Sequence, residues 1–130
     1  MIIFLVILGA IVIYLWTFRK SDLSVSSKKA DVEIRSGELI QSFEKNEKLA
    51  NEAYLNKIII LAGTVDNISE DNLTVTVYLK DKDAVSGIIC SFNKSVLDIS
   101  KISKGSEIKV KGICSGYLLD VVLNKCSLEE

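Results

Sequence analysis

A chain of 130 residues leaves room for one small domain, and its 48% apolar and 25% charged composition is that of a folding sequence. The formal net charge is −1, and residues 56–128 hold nine Lys against eight Asp or Glu, so no basic surplus announces a nucleic-acid partner. His is absent, which excludes His triads, His general bases and His metal ligands; the three Cys, without a C-x-x-C, fall short of a four-ligand zinc site.

Residues 1–18, MIIFLVILGAIVIYLWTF, carry no charged side chain and would span about 27 Å as a helix. Tyr14, Trp16 and Phe18 sit near the end of the run, where aromatic rings favour a membrane interface, and Arg19 and Lys20 follow as a stop. The run lacks the basic n-region and small-residue cleavage site of a signal peptide, and a helix apolar all round does not suit so small a soluble core. It is read as a single-pass transmembrane anchor in the cell membrane. Arg19, Lys20, Lys28, Lys29 and Arg35 all lie after it, so the positive-inside rule puts the folded part in the cytoplasm.

Residues 19–35 are serine-rich at the start and show no sustained period, which predicts a solvated tether. Ser36 then reads as an N-cap, with Glu38 placed to suit the helix dipole. Leu39, Ile40, Phe43, Ala50, Ala53 and Tyr54 recur near helical spacing, predicting one amphipathic helix over residues 36–55 that packs on the following sheet.

Strand signals come next. Residues 57–68 form the first, with Ile59, Leu61 and Val65 on one face and Gly63 marking a bend or bulge. Residues 73–80 alternate cleanly and form the second; residues 87–93, with Ile88, Cys90 and Phe92 sharing a face, form the third. Residues 95–102 suggest a short helix. Two further runs, 107–114 and 120–128, are joined by the turn-prone Ser115 and Gly116 and read as a closing hairpin. The fold class is mainly β: a five-stranded OB-fold barrel, β-β-β-α-β-β, preceded by the amphipathic helix and the transmembrane helix. The expected division is anchor 1–18, tether 19–35 and OB domain 36–130.

Several stretches resemble the tRNA_anti-like family of small bacterial OB-fold proteins, common in Bacteroidetes. They are Gly63 to Val65, Gly87 to Phe92, and Lys104 and Gly105 through Gly112, Ile113, Cys114, Ser115, Gly116, Tyr117 and Asp120 to Cys126, of which Cys114 to Cys126 is the most specific part. The resemblance implies an OB fold akin to anticodon-binding domains, an N-terminal membrane helix, an exported domain and no catalytic motif. Export opposes the charge pattern, and the side of the membrane stays open.

These readings predict a membrane-anchored binding or scaffolding module, not an enzyme and without a cofactor, that takes a protein or small-ligand partner. Single-stranded nucleic acid is the alternative. The candidate ligand-binding residues are the outward ones of the second and third strands, Thr76, Tyr78, Lys80, Ile89 and Ser91, with Lys109 and Lys111 from the fourth. One aromatic ring and few cations make a poor stacking platform for bases. Carboxylates at Asp66, Glu70, Asp71, Asp81 and Asp83 fall in turns, where Asp is favoured for backbone reasons. Ile60, Ile89 and Ile113 point outward and need a cover, which Phe43 and Tyr54 could supply, or mark an interface. Cys114 and Cys126 lie on the two hairpin strands: a disulfide there needs a close, directly opposed register, and otherwise both are buried thiols.

Overall fold

Strict alternation governs the three central strands. β2 (Ile58–Glu70) as far as Val65, β3 (Thr74–Leu79) and β4 (Ile88–Asn93) each send every second side chain inward, as a pleat requires. These strands belong to a computed structural model that describes residues 2–18 and 24–129, with side chains of the first segment described as far as Tyr14. Arg19, Lys20 and the side chains of Trp16 and Phe18, predicted to mark the membrane interface, lie outside the described residues.

The remaining elements are α1 (Ile2–Phe18), β1 (Val32–Arg35), α2 (Ser36–Lys45), α3 (Glu47–Tyr54), a 3₁₀ turn (Ile99–Lys101), β5 (Glu107–Leu118) and β6 (Asp120–Leu128). The strands run in the order β1-β2-β3-β4-β6-β5, and β2 pairs back onto β5, so five of them close a barrel. All barrel contacts are antiparallel except β4 against β6, which is parallel and only three pairs long, Ile88–Val121 to Cys90–Leu123. This closed, mainly β barrel has the OB-fold arrangement.

The inward residues, among them Ile59, Leu61, Val77, Leu79, Ile88, Cys90, Val110, Cys114, Leu123 and Cys126, are fully buried. Leu39, Ile40 and Phe43 of α2 and Ala50 of α3 join the same core. Phe43 stacks on Tyr117 at 5.3 Å and meets Tyr54 at 6.2 Å, so it serves the interior and is not an outer cover for the strand isoleucines.

Several expectations need correction. The helix predicted over residues 36–55 is two helices, because Asn46 takes an extended conformation and its side chain caps α3 by accepting from Leu49 N at 3.1 Å. Ser36 is not an N-cap; it is buried at the start of α2 with its Oγ against Gly63. A Cβ on Gly63 would stand 2.9 Å from that oxygen, so this glycine grants close approach and marks no bulge. The irregularity in β2 falls instead between Val65 and Asn67. The predicted helix over 95–102 is reduced to one 3₁₀ turn, capped by Asp98, whose Oδ1 accepts from Ser100 N.

The expected tether is partly structured. Val25 is buried, with its amide donating to Lys125 O, and Val32–Arg35 pairs in parallel with residues 59–62 of β2. β1 thus fills the stretch of β2 that precedes its pairing with β3. Asp31 anchors this junction by accepting from Ile58 N at 2.9 Å.

α1 is a helix of 17 residues without a charged side chain. Among the described residues no helix is long and apolar enough to cross a membrane.

The closing hairpin differs most. β5 continues through Ser115 and Gly116 to Leu118, and the chain reverses at Leu119, which adopts a left-handed φ of +67°. Gly116 (φ +145°) sits at a register shift, so the glycine read as a turn makes a bulge within the strand.

Candidate functional site

Four of the predicted residues come together. Thr76 lies directly opposite Ser91, and Tyr78 opposite Ile89, on the outer face shared by β3 and β4. All four are half-buried. Cross-strand neighbours at this spacing make one continuous patch. Lys80 follows at the end of β3, where its amide donates to Thr64 O.

Lys109 and Lys111 do not join that patch. Both lie on β5, which pairs with β2 and β6 and never with β3 or β4. Lys109 pairs with Glu33 of β1 at 2.8 Å, and this bond lifts its pKa above the ordinary lysine value. Lys111 is only 6% exposed. At the far end of the β3–β4 face, Lys94 is engaged by Glu70 and donates to Asp71 O at 3.3 Å. Asp71 itself closes the β2–β3 turn, accepting from Leu73 N and Thr74 N, and those two bonds hold its carboxyl below the usual range. Lys94 and Lys109 are thus balanced by carboxylates, and Lys109 and Lys111 lie away from the face.

Tyr78 is tied down on two sides. Its hydroxyl donates to Asp120 Oδ1 at 2.8 Å, and the same oxygen accepts from Gly87 N at 2.9 Å. A Cβ on Gly87 would stand 2.8 Å from two ring carbons of Tyr78 and 2.4 Å from Leu79 O. Only glycine lets the loop backbone lie on that ring. Burial, and then the bond to Asp120, pushes the Tyr78 pKa up to about 12. The one aromatic of the face is therefore committed to joining β3, the β3–β4 loop and the hairpin.

Sequence reasoning missed the residues around that junction. Leu118 and Leu119 at the hairpin tip are 88% and 82% exposed, and Val85 in the β3–β4 loop is 95% exposed. Asp120 links these loops through Gly87, whose carbonyl also accepts from Val121 N. Along the hairpin, Leu118, Tyr117, Ser115 and Val122 face Leu55 and Asn51 across a groove of about 460 Å³. The signal was present as two adjacent leucines before an aspartate. It was hidden by placing the turn at Gly116, which left both leucines as ordinary linker residues.

The cysteines are three buried free thiols. Cys114 is opposite Leu123, while the register shift between Lys111 and Ile113 sets Cys126 level with Gly112, two residues along β5 and about 7 Å from Cys114 at the usual rise, besides the gap between the strands. That exceeds the reach of a disulfide, so the predicted Cys114–Cys126 pairing does not fit this register. Cys126 lies over Gly112, where an added Cβ would come within 2.7 Å of its Sγ, and meets Cys90. Contact with Cys126, together with burial, pushes the Cys90 thiol well above its ordinary value. Burial likewise raises Cys114.

The family model named tRNA_anti-like matches residues 1–128. The chain belongs to the tRNA_anti-like family. No curated protein sequence matches it. Among solved structures, this tRNA_anti-like chain is similar to a lipoprotein of Klebsiella pneumoniae subsp. pneumoniae for which nucleic-acid binding has been suggested. That match has a TM-score of 0.65 at 17% identity and covers 78% of this chain and 92% of the other. The asparaginyl-tRNA synthetase of Entamoeba histolytica, solved with asparaginyl-adenylate, matches with a TM-score of 0.51 at 12% identity. Here 77% of this chain is covered but only 24% of the synthetase. At such identities the likeness is one of fold.

Proposed function

We propose that this tRNA_anti-like protein is a non-catalytic binding module, anchored in the cell membrane, that engages a protein partner through the hairpin tip and the adjoining end of the β3–β4 face. The observation that carries this reading is the exposure of Leu118, Leu119 and Val85 on two loops joined by Asp120. Exposed leucines and valine lose water favourably against an apolar partner, at about 25 cal/mol for each Å² buried. Tyr78, Ile89, Thr76 and Ser91 adjoin them and would supply the rim of such an interface.

Anchoring rests on the uncharged run at residues 1–18 and on Arg19 and Lys20 after it. A chain segment beginning at residue 19 then connects the anchor to the barrel. A truncated chain beginning at residue 24 should remain soluble and folded, because the described barrel contacts begin with Val25. Aggregation of that truncated chain, with the full chain well behaved in detergent, would show that residues 1–18 belong to the core.

Single-stranded nucleic acid is the second reading, favoured by the suggested activity of the Klebsiella lipoprotein. Against it, Tyr78 has its hydroxyl bonded and its ring covered by Gly87, and Lys109 is paired. Base stacking usually adds about 1–3 kcal/mol per base and needs an open ring. Titrating labelled single-stranded RNA and DNA at physiological salt is the test. The expected result is no saturable binding. A micromolar, salt-sensitive complex that Tyr78→Ala disrupts would reverse the ranking.

A further inference from the structure

The two edges of β5 are not equally covered. Along one it pairs with β6 as far as Leu118; along the other it pairs with β2 only from Glu107, opposite Thr64, to Ile113, opposite Ile58. Cys114 makes the last bonds on that second edge, its amide donating to Lys57 O and its carbonyl accepting from Asn56 N. Asn56 has a left-handed φ of +64°, where the chain arrives from α3. Among the described residues, no strand lies beyond Ser115, Gly116, Tyr117 and Leu118 on this edge.

The register tells which backbone groups the open edge presents. Val121 sends its amide away from β5, to Gly87 O at 3.1 Å. Its partner Tyr117 therefore belongs to a pair that exchanges no bonds, and turns its own N–H and C=O to the open side. The bulge at Gly116 sets this phase; without it Gly116 would follow Cys114 to that edge. Stacking of the Tyr117 ring on Phe43 holds the residue in place. An unpaired donor and acceptor on a strand edge are a template for another extended chain. Facing them across the groove of about 460 Å³ stand Glu47, Asn51 and Leu55. Glu47 is the one charged side chain lining the groove, and it makes no ion pair among the described residues.

From this geometry we infer that the groove takes an extended segment of the protein partner, added as a strand at Tyr117, with an apolar side chain against Leu55 and Leu118 and a Lys or Arg at Glu47. The inference rests on the reading of the hairpin tip as a protein-binding surface, and names what the partner presents there. The backbone bonds at Tyr117 hold the segment, while the groove walls select its side chains. With α3 as its far wall, the groove admits one free chain and holds off the flank of a second barrel. Glu47 attracts a basic segment and repels a phosphate backbone.

The test pans a phage-displayed library of random short peptides against the full chain in detergent micelles; enriched peptides are synthesised and titrated onto the same chain. The expected sequences combine an apolar residue with Lys or Arg. Glu47→Lys should weaken such a peptide by about tenfold or more. Glu52→Lys, on the same helix but outside the groove, should leave its affinity unchanged. Methylating the peptide's backbone nitrogens one at a time should abolish binding at one position and spare the adjacent ones, as pairing at a single residue requires. Enrichment of no peptide, equal effects of the two charge reversals, or indifference to methylation at every position overturns the inference. A photoreactive amino acid at position 119 separates the two claims. A protein adduct from the tip with no enriched peptide overturns the groove inference alone, whereas no protein adduct overturns the reading of the tip.

Discussion

The two ends of the β5–β6 hairpin follow opposite rules. At its base, Gly112, Cys114, Leu123 and Cys126 are packed to contact, with Cys114, Leu123 and Cys126 fully buried. At its tip, Leu118 and Leu119 are exposed to water, and Leu119 adopts a backbone conformation that leucine rarely takes. Folding explains the base, since burying each large apolar side chain favours the native state by about 1.5–3 kcal/mol. It does not explain the tip, where polar residues would serve solubility better and Asn or Gly would suit the turn. Apolar side chains held out at a strained turn suit a binding surface, and the contrast supports the binding surface proposed at the tip.

The sharpest way to break this contrast is Leu123→Ala. Loss of a fully buried leucine should cost about 2–5 kcal/mol, read as a lower urea midpoint at unchanged slope. A cost below about 1 kcal/mol would mean that the base is not tightly packed. Gly112→Ala comes next. Its Cβ would meet Cys126 Sγ at 2.7 Å and Asn124 O at 3.2 Å, so overpacking should cost about 1–3 kcal/mol. Adding Cys126→Ala should recover part of that loss. A strictly additive double mutant would place the clash elsewhere.

Tyr78→Phe tests the tie between the face and the tip. Removing the hydroxyl leaves Asp120 with its bond from Gly87 N, so the loss should be about 1 kcal/mol. The pH dependence has a definite sign. The folded tyrosine holds its proton more tightly than the unfolded one, with a pKa of about 12 against the usual 10.0. Its contribution is complete below pH 10 and is lost as the pH rises through about 12. Denaturation midpoints across that window should fall less steeply in the Phe variant; equal slopes would discount the raised pKa that burial and the Asp120 bond give Tyr78.

The smallest effect on stability is expected at the tip. Leu118→Ser and Leu119→Ser should each change stability by no more than about 0.5 kcal/mol, because neither side chain is packed. A loss above about 2 kcal/mol would make these leucines structural and remove the contrast.

Parity made most of the barrel legible. Val75, Val77 and Leu79 against Thr74, Thr76 and Tyr78 announce both faces of β3, and Ile88, Cys90 and Phe92 do the same for β4. The patch of Thr76, Tyr78, Ile89 and Ser91 followed from that alternation. What alternation could not convey was tertiary. Gly63 reads as a bend until Ser36 is seen against it, and Gly116 reads as a turn until the strand is seen to continue past it. The register shift in β6 between Asn124 and Ser127 changes its phase, so the burial of Cys126 could not be read from alternation. Lys109 looked free for a ligand because β1, which brings Glu33, was hidden in a stretch without period.

The central claim is that the tip contacts a protein. It is tested most directly by placing a photoreactive amino acid at position 119 of the full chain, irradiating intact cells and analysing the adducts. The same substitution at Lys104, on the loop before β5, serves as the control. The account predicts a discrete protein adduct from position 119 that is absent from position 104 and is lost when Leu118 is changed to Ser. A nucleic-acid adduct, or the same adducts from both positions, would contradict it.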